Sequence, residues 1–153
     1  MTKRNFLFGY DVNLKGVERA RRWIERGQVG GFFERLRVVP IEVEEGRLTV
    51  ACDVDMGHAN FIGLVHGGVL AALVDIAGAG AAMSTVGVGE SVLTTDVNLR
   101  LLDVTTLDGG RLTATGQVTH RAKKRLVVSV EIRRADGVVA AEGSVGALVR
   151  GGS

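Results

Sequence analysis

The sequence holds a single cysteine, Cys52, and a single proline, Pro40. One cysteine excludes an intramolecular disulfide and fits a reducing compartment, so a cytoplasmic location is expected. Aromatic residues make up only 5% of the chain, and none interleaves with the basic turn Arg121-Ala122-Lys123-Lys124-Arg125, which argues against the stacking platform of a nucleic-acid binder. Charge of one sign is also lacking: the net value is +2, from 19 Lys and Arg against 17 Asp and Glu, so no polyanion partner follows from charge. The small, apolar stretch from residue 61 to 89 is interrupted by Asp75 and several glycines, and reads as a core helix rather than a membrane span. Met1 to Leu7 carries Lys3-Arg4 and a short apolar patch, which Tyr10-Asp11-Val12-Asn13 ends before a signal-peptide core forms. His58 and His120 have no carboxylate or cysteine partners at metal-ligand spacing, so no metal site is expected.

Glycine, by contrast, is abundant: 22 residues, placed within patterned segments, where they mark tight turns and close backbone packing. A chain of 153 residues suits one domain with a real core. Residues 1–13 show no periodicity and read as an arm. Lys15 to Gly27 reads as an amphipathic helix with Val17, Ala20, Trp23 and Ile24 on one face and Arg19, Arg21, Arg22 and Arg26 on the other. That basic face is either solvated or a lid near an anionic cofactor. Gly30-Gly31 then breaks the chain, dividing an arm and helix over 1–31 from a main domain over 32–150. Phe33 to Val43 and Arg47 to Val54 read as strands joined at Glu44-Glu45-Gly46, and Asp55 to Val65 as a loop. After the apolar helix come strands over 91–102, 111–121, 126–135 and 138–149, the last pair joined by the hairpin turn Asp136-Gly137. This order implies an α+β domain, a mostly antiparallel sheet wrapped around one long central helix.

The central helix carries the chemistry. Gly67-Gly68 at its start lets backbone approach a ligand, and the free amides of a helix start point outward. Asp75 sits alone in its apolar middle, where a carboxylate persists only if paired, protonated or used. At 1.5 Å per residue the eight positions from Gly67 to Asp75 span about 12 Å, whereas reacting atoms must approach to roughly 3–3.5 Å. If both groups serve one carbonyl, they come from two copies of the chain, and a homodimer with sites at its interface follows.

Asn60, five residues, His66-Gly67-Gly68, six residues and Asp75, followed by Thr94-Thr95-Asp96-Val97-Asn98, form a pattern that resembles the hot-dog-fold acyl-CoA thioesterases, and most of all their phenylacetate-degradation, PaaI-like branch. The resemblance runs from about Phe32 to Val149 and implies the hot-dog fold, with two sheets joined edge to edge in a dimer and further assembly as a dimer of dimers. It implies that the Gly67 amide and Asn60 polarise the thioester carbonyl, and that Asp75 of the other subunit acts as general base or nucleophile. Thr94 would help hold the attacking water, and His66 would steady the loop and the thioester end. Coenzyme A enters as part of the substrate, and no separate cofactor is implied. Ala79 stands where several relatives have a hydroxyl.

Each residue also has a plainer reading. Asp75 is otherwise a helix carboxylate paired with an arginine; as a base it needs a polar companion such as Thr94 or water, because desolvation favours the neutral acid. Asn60 alone is a turn residue, and in register with His66 and Gly67 an oxyanion donor. His66 either makes a structural hydrogen bond or binds substrate. Phe61, with Leu64 and Met83, is expected to set pocket depth. The turn Arg121, Lys123, Lys124 and Arg125 is either exposed decoration or a clamp for coenzyme A phosphates. Cys52 reads as a packed small hydrophobe. Gly143-Ser144-Val145-Gly146 lacks the nucleophile-elbow spacing, and Gly78-Ala79-Gly80 lacks the third glycine of a dinucleotide loop and reads as packing. Two rival functions remain: a non-catalytic acyl-CoA-binding or regulatory module, and a hot-dog dehydratase or hydratase, which needs a histidine in a different local frame.

Overall fold

The computed structural model describes residues 10–27 and 29–151; the arm expected over residues 1–9 and its Lys3-Arg4 pair lie outside them. The element order is α1 (Gly16–Arg26), α2 (Gly31–Arg35), β1 (Val38–Glu44), β2 (Arg47–Asp53), a 3₁₀ turn (Met56–His58), α3 (Gly67–Met83) and β3 (Glu90–Leu101). A second 3₁₀ turn (Leu107–Gly109), β4 (Arg111–Ala122), β5 (Arg125–Arg133) and β6 (Val139–Gly151) complete it. The six strands form one sheet in the order β1-β2-β4-β5-β6-β3, antiparallel at every pairing. The sheet packs around α3, giving the hot-dog architecture.

Strand alternation sets which face meets the helix. In β5, Leu126, Val128, Val130 and Ile132 are buried, while Arg125, Val127, Ser129, Glu131 and Arg133 are exposed. From the helix side, Leu73, Val74, Ala77 and Ala81 are wholly buried against them. Truncating one of the fully buried leucines here is expected to cost about 2–5 kcal/mol. Glycine lets the layers approach: a Cβ on Gly78 would stand 2.4 Å from Val145 Cγ2, and one on Gly116 2.4 Å from the Ala77 carbonyl oxygen. The expected packing role of Gly78 is thereby met, and Gly80 shares it, since a Cβ there would stand 2.8 Å from Leu48 Cδ2. The helix is not enclosed on every side, however. Ala72, Asp75, Ile76, Ala79 and Met83, one stripe at helical spacing, stay half-exposed, because the sheet of one chain covers only the opposite face.

Two corrections concern the N-terminal part. The strand expected from Phe33 starts at Val38, because Gly30 and Gly31, at φ 85° and 62°, turn the chain into the five-residue α2. Arg19 is not on a solvated face and does not serve as a lid: its side chain is buried, 4% exposed. Its guanidinium donates to the carbonyls of Leu14 (2.8 Å), Val12 (3.2 Å), Gly87 (3.1 Å) and Glu90 (2.6 Å) and to the Tyr10 hydroxyl (2.8 Å). α1 thus lies across the C-terminal end of α3, with the Gly16 amide donating to the Val86 carbonyl at 2.9 Å.

The sheet has two unlike edges. β1 is blunted by Pro40, by a bulge between Pro40 and Glu42 and by α1 packed against it, all devices that discourage further pairing. β3 offers a twelve-residue edge without proline or lysine, and Leu93 (50%) and Val97 (43%) on it are exposed.

Candidate active site

The loop from Asp55 to His66 is built around two side chains. Asn60 Oδ1 accepts the amides of Ile62 and Leu64, each at 3.0 Å, while the Asn60 amide donates to the Leu64 carbonyl at 2.8 Å. With its oxygen so occupied, the Asn60 side chain keeps its NH₂ group, two donors, without a partner among the described residues. His66 is the N-cap of α3, and its Nδ1 accepts the Gly68 amide at 2.8 Å, which leaves the ring proton of the neutral form on Nε2. Gly67 is the first helical residue, so its N–H has no partner within the helix, and none is formed elsewhere among the described residues. The Leu101 side chain roofs this point, its Cδ1 lying 3.1 Å from where a Cβ on Gly67 would stand. Phe61 and Ile62 project fully or nearly so into solvent beside it.

Asp75 lies two turns further along, on the half-exposed stripe. Thr94 Oγ1 donates to Asp75 Oδ1 at 2.7 Å, and the other carboxylate oxygen is without a protein partner among the described residues. The alignment depends on the bulge between Thr94 and Asp96, which turns Thr94, Val97 and Leu99 to the helix side and Asp96 to the outer side. Thr95, the inserted residue, donates to Asp96 Oδ2 at 2.8 Å.

One chain therefore assembles two half-sites. Asn60, His66, Gly67 and Gly68 gather at the helix tip, Asp75 and Thr94 at its middle, about 12 Å apart along the axis. The basic turn stands apart from both: Arg121 donates to the Thr85 carbonyl (3.1 Å) and Oγ1 (3.3 Å), just beyond the C-terminus of the helix. A helix of 17 residues is about 25 Å long, so within a chain the turn and the Gly67 tip lie at opposite ends. Lys123, Lys124 and Arg125 are exposed there.

The structure also brings to His58 the carboxylate and thiol that sequence spacing did not offer it. Nδ1 is 3.0 Å from Asp55 Oδ1 and Nε2 is 3.7 Å from Cys52 Sγ. A Cys-His-Asp series can make a nucleophile, but Cys52 is wholly buried, its thiol is engaged with the Leu36 carbonyl at 3.1 Å, and burial pushes it up to about 11. A thiolate is the reactive form, so this cysteine is inert, as its reading as a packed residue expected. A groove on the outer face of the sheet, bordered by Arg47, Arg100, Arg133, Glu131 and Glu142, touches none of the candidate residues. Among the described residues no helix is long and apolar enough to cross a membrane.

Residues 62–141 match the model of the thioesterase superfamily. The chain belongs to that superfamily. A Saccharolobus solfataricus protein provisionally named an esterase is 29% identical over 110 residues, 72% of this chain and 76% of its own length. Escherichia coli PaaI, from the phenylacetic acid degradation operon, superposes with a TM-score of 0.77 at 24% identity, over 90% of this chain and 96% of that one. A Streptococcus mutans protein solved with acetyl-CoA bound gives 0.66 at 24% identity, over 73% and 87%. Superfamily membership marks the chain as a hydrolase, and the superpositions show the hot-dog fold that it shares with PaaI. The matched segment starts beside Asn60 and spans the helix tip, Asp75 and Thr94. It leaves out Arg19 and His58. Sequence reasoning missed both, although each had a signal: Arg19 is next to the core residue Ala20, and His58 stands two places before Asn60.

Proposed function

We propose that this superfamily member is an acyl-CoA thioesterase that acts as a homodimer, with each site shared between two chains. The observation that carries the reading is the Thr94-bonded Asp75, presented on an open helix stripe about 12 Å from the unpartnered Gly67 amide of its own chain. A two-fold axis that pairs the free β3 edges antiparallel sets the two α3 helices antiparallel as well. Each Asp75 then approaches the partner's helix tip, and each basic turn comes to the end of the molecule where the partner's Gly67 lies. Arg121, Lys123, Lys124 and Arg125 of one chain would in this way meet the phosphates of a coenzyme A whose thioester is held by the other. The acetyl-CoA bound to the Streptococcus mutans relative supports that substrate class.

In the reaction, the thioester oxygen lies between the Gly67 N–H and the Asn60 NH₂. Water, held by Thr94 and the unbonded oxygen of Asp75, attacks the carbonyl carbon and passes a proton to Asp75. The two donors stabilise the charge that develops on the oxygen. When the tetrahedral adduct collapses, the carbon–sulfur bond breaks and the proton returns from Asp75 to the leaving sulfur, giving free acid and coenzyme A. Gly68 keeps the approach open and His66 holds the tip by capping it. Phe61 borders the acyl group. No metal or added cofactor has a role in this scheme. Dimers would pair further into a tetramer, and the single cysteine, Cys52, supports a cytoplasmic location.

Complementation tests the shared site. Thiol release from a panel of aryl- and alkyl-CoA thioesters is measured for Asp75→Asn, for Asn60→Ala, and for the two co-expressed. A heterodimer of these chains restores one intact site if Asp75 and Asn60 of a site come from different subunits, and none if they come from the same one. Activity of the mixture well above that of either parent is expected. No recovery refutes the shared site, and thioester binding by the wild type without thiol release refutes catalysis.

A further inference from the structure

Of the two oxyanion donors, Asn60 sits on the loop and Gly67 at the helix tip to which that loop leads, and a loop holds catalytic geometry only if something rigid holds the loop. The structure assigns that task to His58, as a positioning residue; the inference rests on the thioesterase reading above. The His58 side chain is 2% exposed and each ring nitrogen is engaged. Nε2 donates to the Leu36 carbonyl at 2.8 Å, and Nδ1 accepts the Asp55 amide at 3.0 Å. Its own main-chain carbonyl accepts the His66 amide at 2.8 Å. One residue therefore ties three places together: the segment leading into β1, the 3₁₀ turn, and the cap of α3. Asn60 comes two residues later on the same short span.

The partners are themselves fixed. Asp55 Oδ1 accepts the Gly57 amide at 2.8 Å, and Asp55 Oδ2 is bonded to Arg37 at 2.8 Å. Arg37 holds a left-handed backbone, φ 55°, and its carbonyl accepts the Asp53 amide at 3.3 Å, joining the segment to the end of β2. The Leu36 carbonyl that receives His58 also receives the Cys52 thiol. The Cys-His-Asp series is thus a scaffold under the helix tip and lies behind the reacting groups. Loss of the ring would leave the His66 amide on the residue-58 carbonyl but unfasten the turn that carries that carbonyl, so the His66 cap and Asn60 would shift together, and a displacement of about 1 Å at such donors costs up to roughly 10²-fold in rate.

The test compares His58→Ala and His58→Gln with Val128→Ala, a core truncation on β5 away from the loop. His58→Ala is expected to lower kcat by roughly 10–100-fold with KM little changed, whereas Val128→Ala loses stability but keeps kcat at temperatures where it is folded. His58→Gln, which retains a donor for the Leu36 carbonyl, is expected to recover most of kcat. Wild-type kcat in His58→Ala overturns the inference, as does a loss in both Ala variants that merely tracks their melting temperatures, or a Gln variant no better than Ala. Should the wild type cleave no thioester, the functional reading fails by itself and His58 is judged by hydrogen exchange. Faster exchange of the Leu64 and Gly68 amides in His58→Ala than in Val128→Ala supports the role, and equal exchange refutes it.

Discussion

At its N-terminus α3 exposes His66 and Gly68 and leaves the Gly67 amide without a partner, whereas at its C-terminus Gly16 lies against the Met83 carbonyl and Arg19 binds four carbonyls and a hydroxyl of the adjoining segments. Both ends of a helix start with unsatisfied backbone groups, so the chain has completed one end and left the other incomplete. The completed end is hidden under α1. The incomplete end is stapled by Asn60 and His58 yet still points a donor outward, and a donor that is rigid and unpaired is one prepared for a ligand oxygen. On the proposed function, stability and chemistry are therefore separated along a single helix by about 25 Å, and substitutions at the two ends should fail in different ways.

The largest effect is expected at the open half. Asp75→Asn keeps the shape and removes the base, which should lower kcat for thioester cleavage by roughly 10²–10⁴-fold without moving the thermal midpoint, since the side chain is half-exposed. Asn60→Ala should lose roughly 10²–10³-fold and also loosen the turn that its Oδ1 holds. If either variant retained full turnover, the open end would have to be explained without catalysis. Thiol release alongside calorimetry reads both quantities.

At the closed end the order reverses. Arg19→Met preserves the packed stem and removes the five hydrogen bonds, leaving half-buried carbonyls bare; a loss of about 3 kcal/mol is expected from charge-assisted bonds of this kind. For a chain of this size that is roughly 6–12 °C in melting temperature. Turnover per folded molecule should be unchanged below the transition. A fall in kcat larger than the unfolded fraction would mean that the two ends are coupled, and the comparison would need redrawing.

Reading the sequence located the open end far better than the closed one, for a physical reason. The tip geometry rests on residues close together in the chain: Asn60, His66 and Gly67 are placed by a local loop and a cap, so spacing alone carries it. The β5 alternation from Leu126 to Ile132 and the Asp136-Gly137 turn are local in the same sense. Arg19 is different, because four arginines on one helix look alike until α1 is laid on the 87–90 turn, and that contact joins positions some seventy residues apart. α2 is illegible because Gly30-Gly31 signals a break but not the short helix beyond it. The basic turn is the mirror case: its charge is plain in the sequence, but only the Arg121–Thr85 contact shows which end of the helix it occupies.

That placement yields a smaller prediction. Replacing Lys123, Lys124 and Arg125 with Gln should raise KM for acyl-CoA about tenfold or less, with kcat held, since exposed ionic contacts are weak and screened. The effect should shrink as salt is raised, and should vanish for a thioester truncated before the phosphates. An unchanged KM at low salt would return the turn to surface decoration and remove one of the reasons for pairing opposite helix ends.

The smallest effect expected is on acid stability, and it belongs to the open end. Hydrogen bonding to Arg37, and then to the Gly57 amide, holds the Asp55 carboxyl below the usual carboxylate range; Arg111 does the same for Asp53. A carboxyl depressed in the folded state contributes stability that is present above its unfolded value, near 3.9, and is lost as pH falls through the folded value. The Asp55→Asn variant lacks that contribution at neutral pH, so its melting temperature should lie slightly below wild type at pH 7, and the gap should close in acid as pH falls through the depressed folded value. Asp55 is exposed and screened, so the gap is small. Because the Asp55 side chain also accepts the Gly57 amide in the turn that carries His58, however, the same variant should lower kcat at neutral pH more than Asp53→Asn does, although both remove one arginine pair. Equal kcat in the two would separate the loop anchor from catalysis, and the open end of α3 would then owe its rigidity to Asn60 alone.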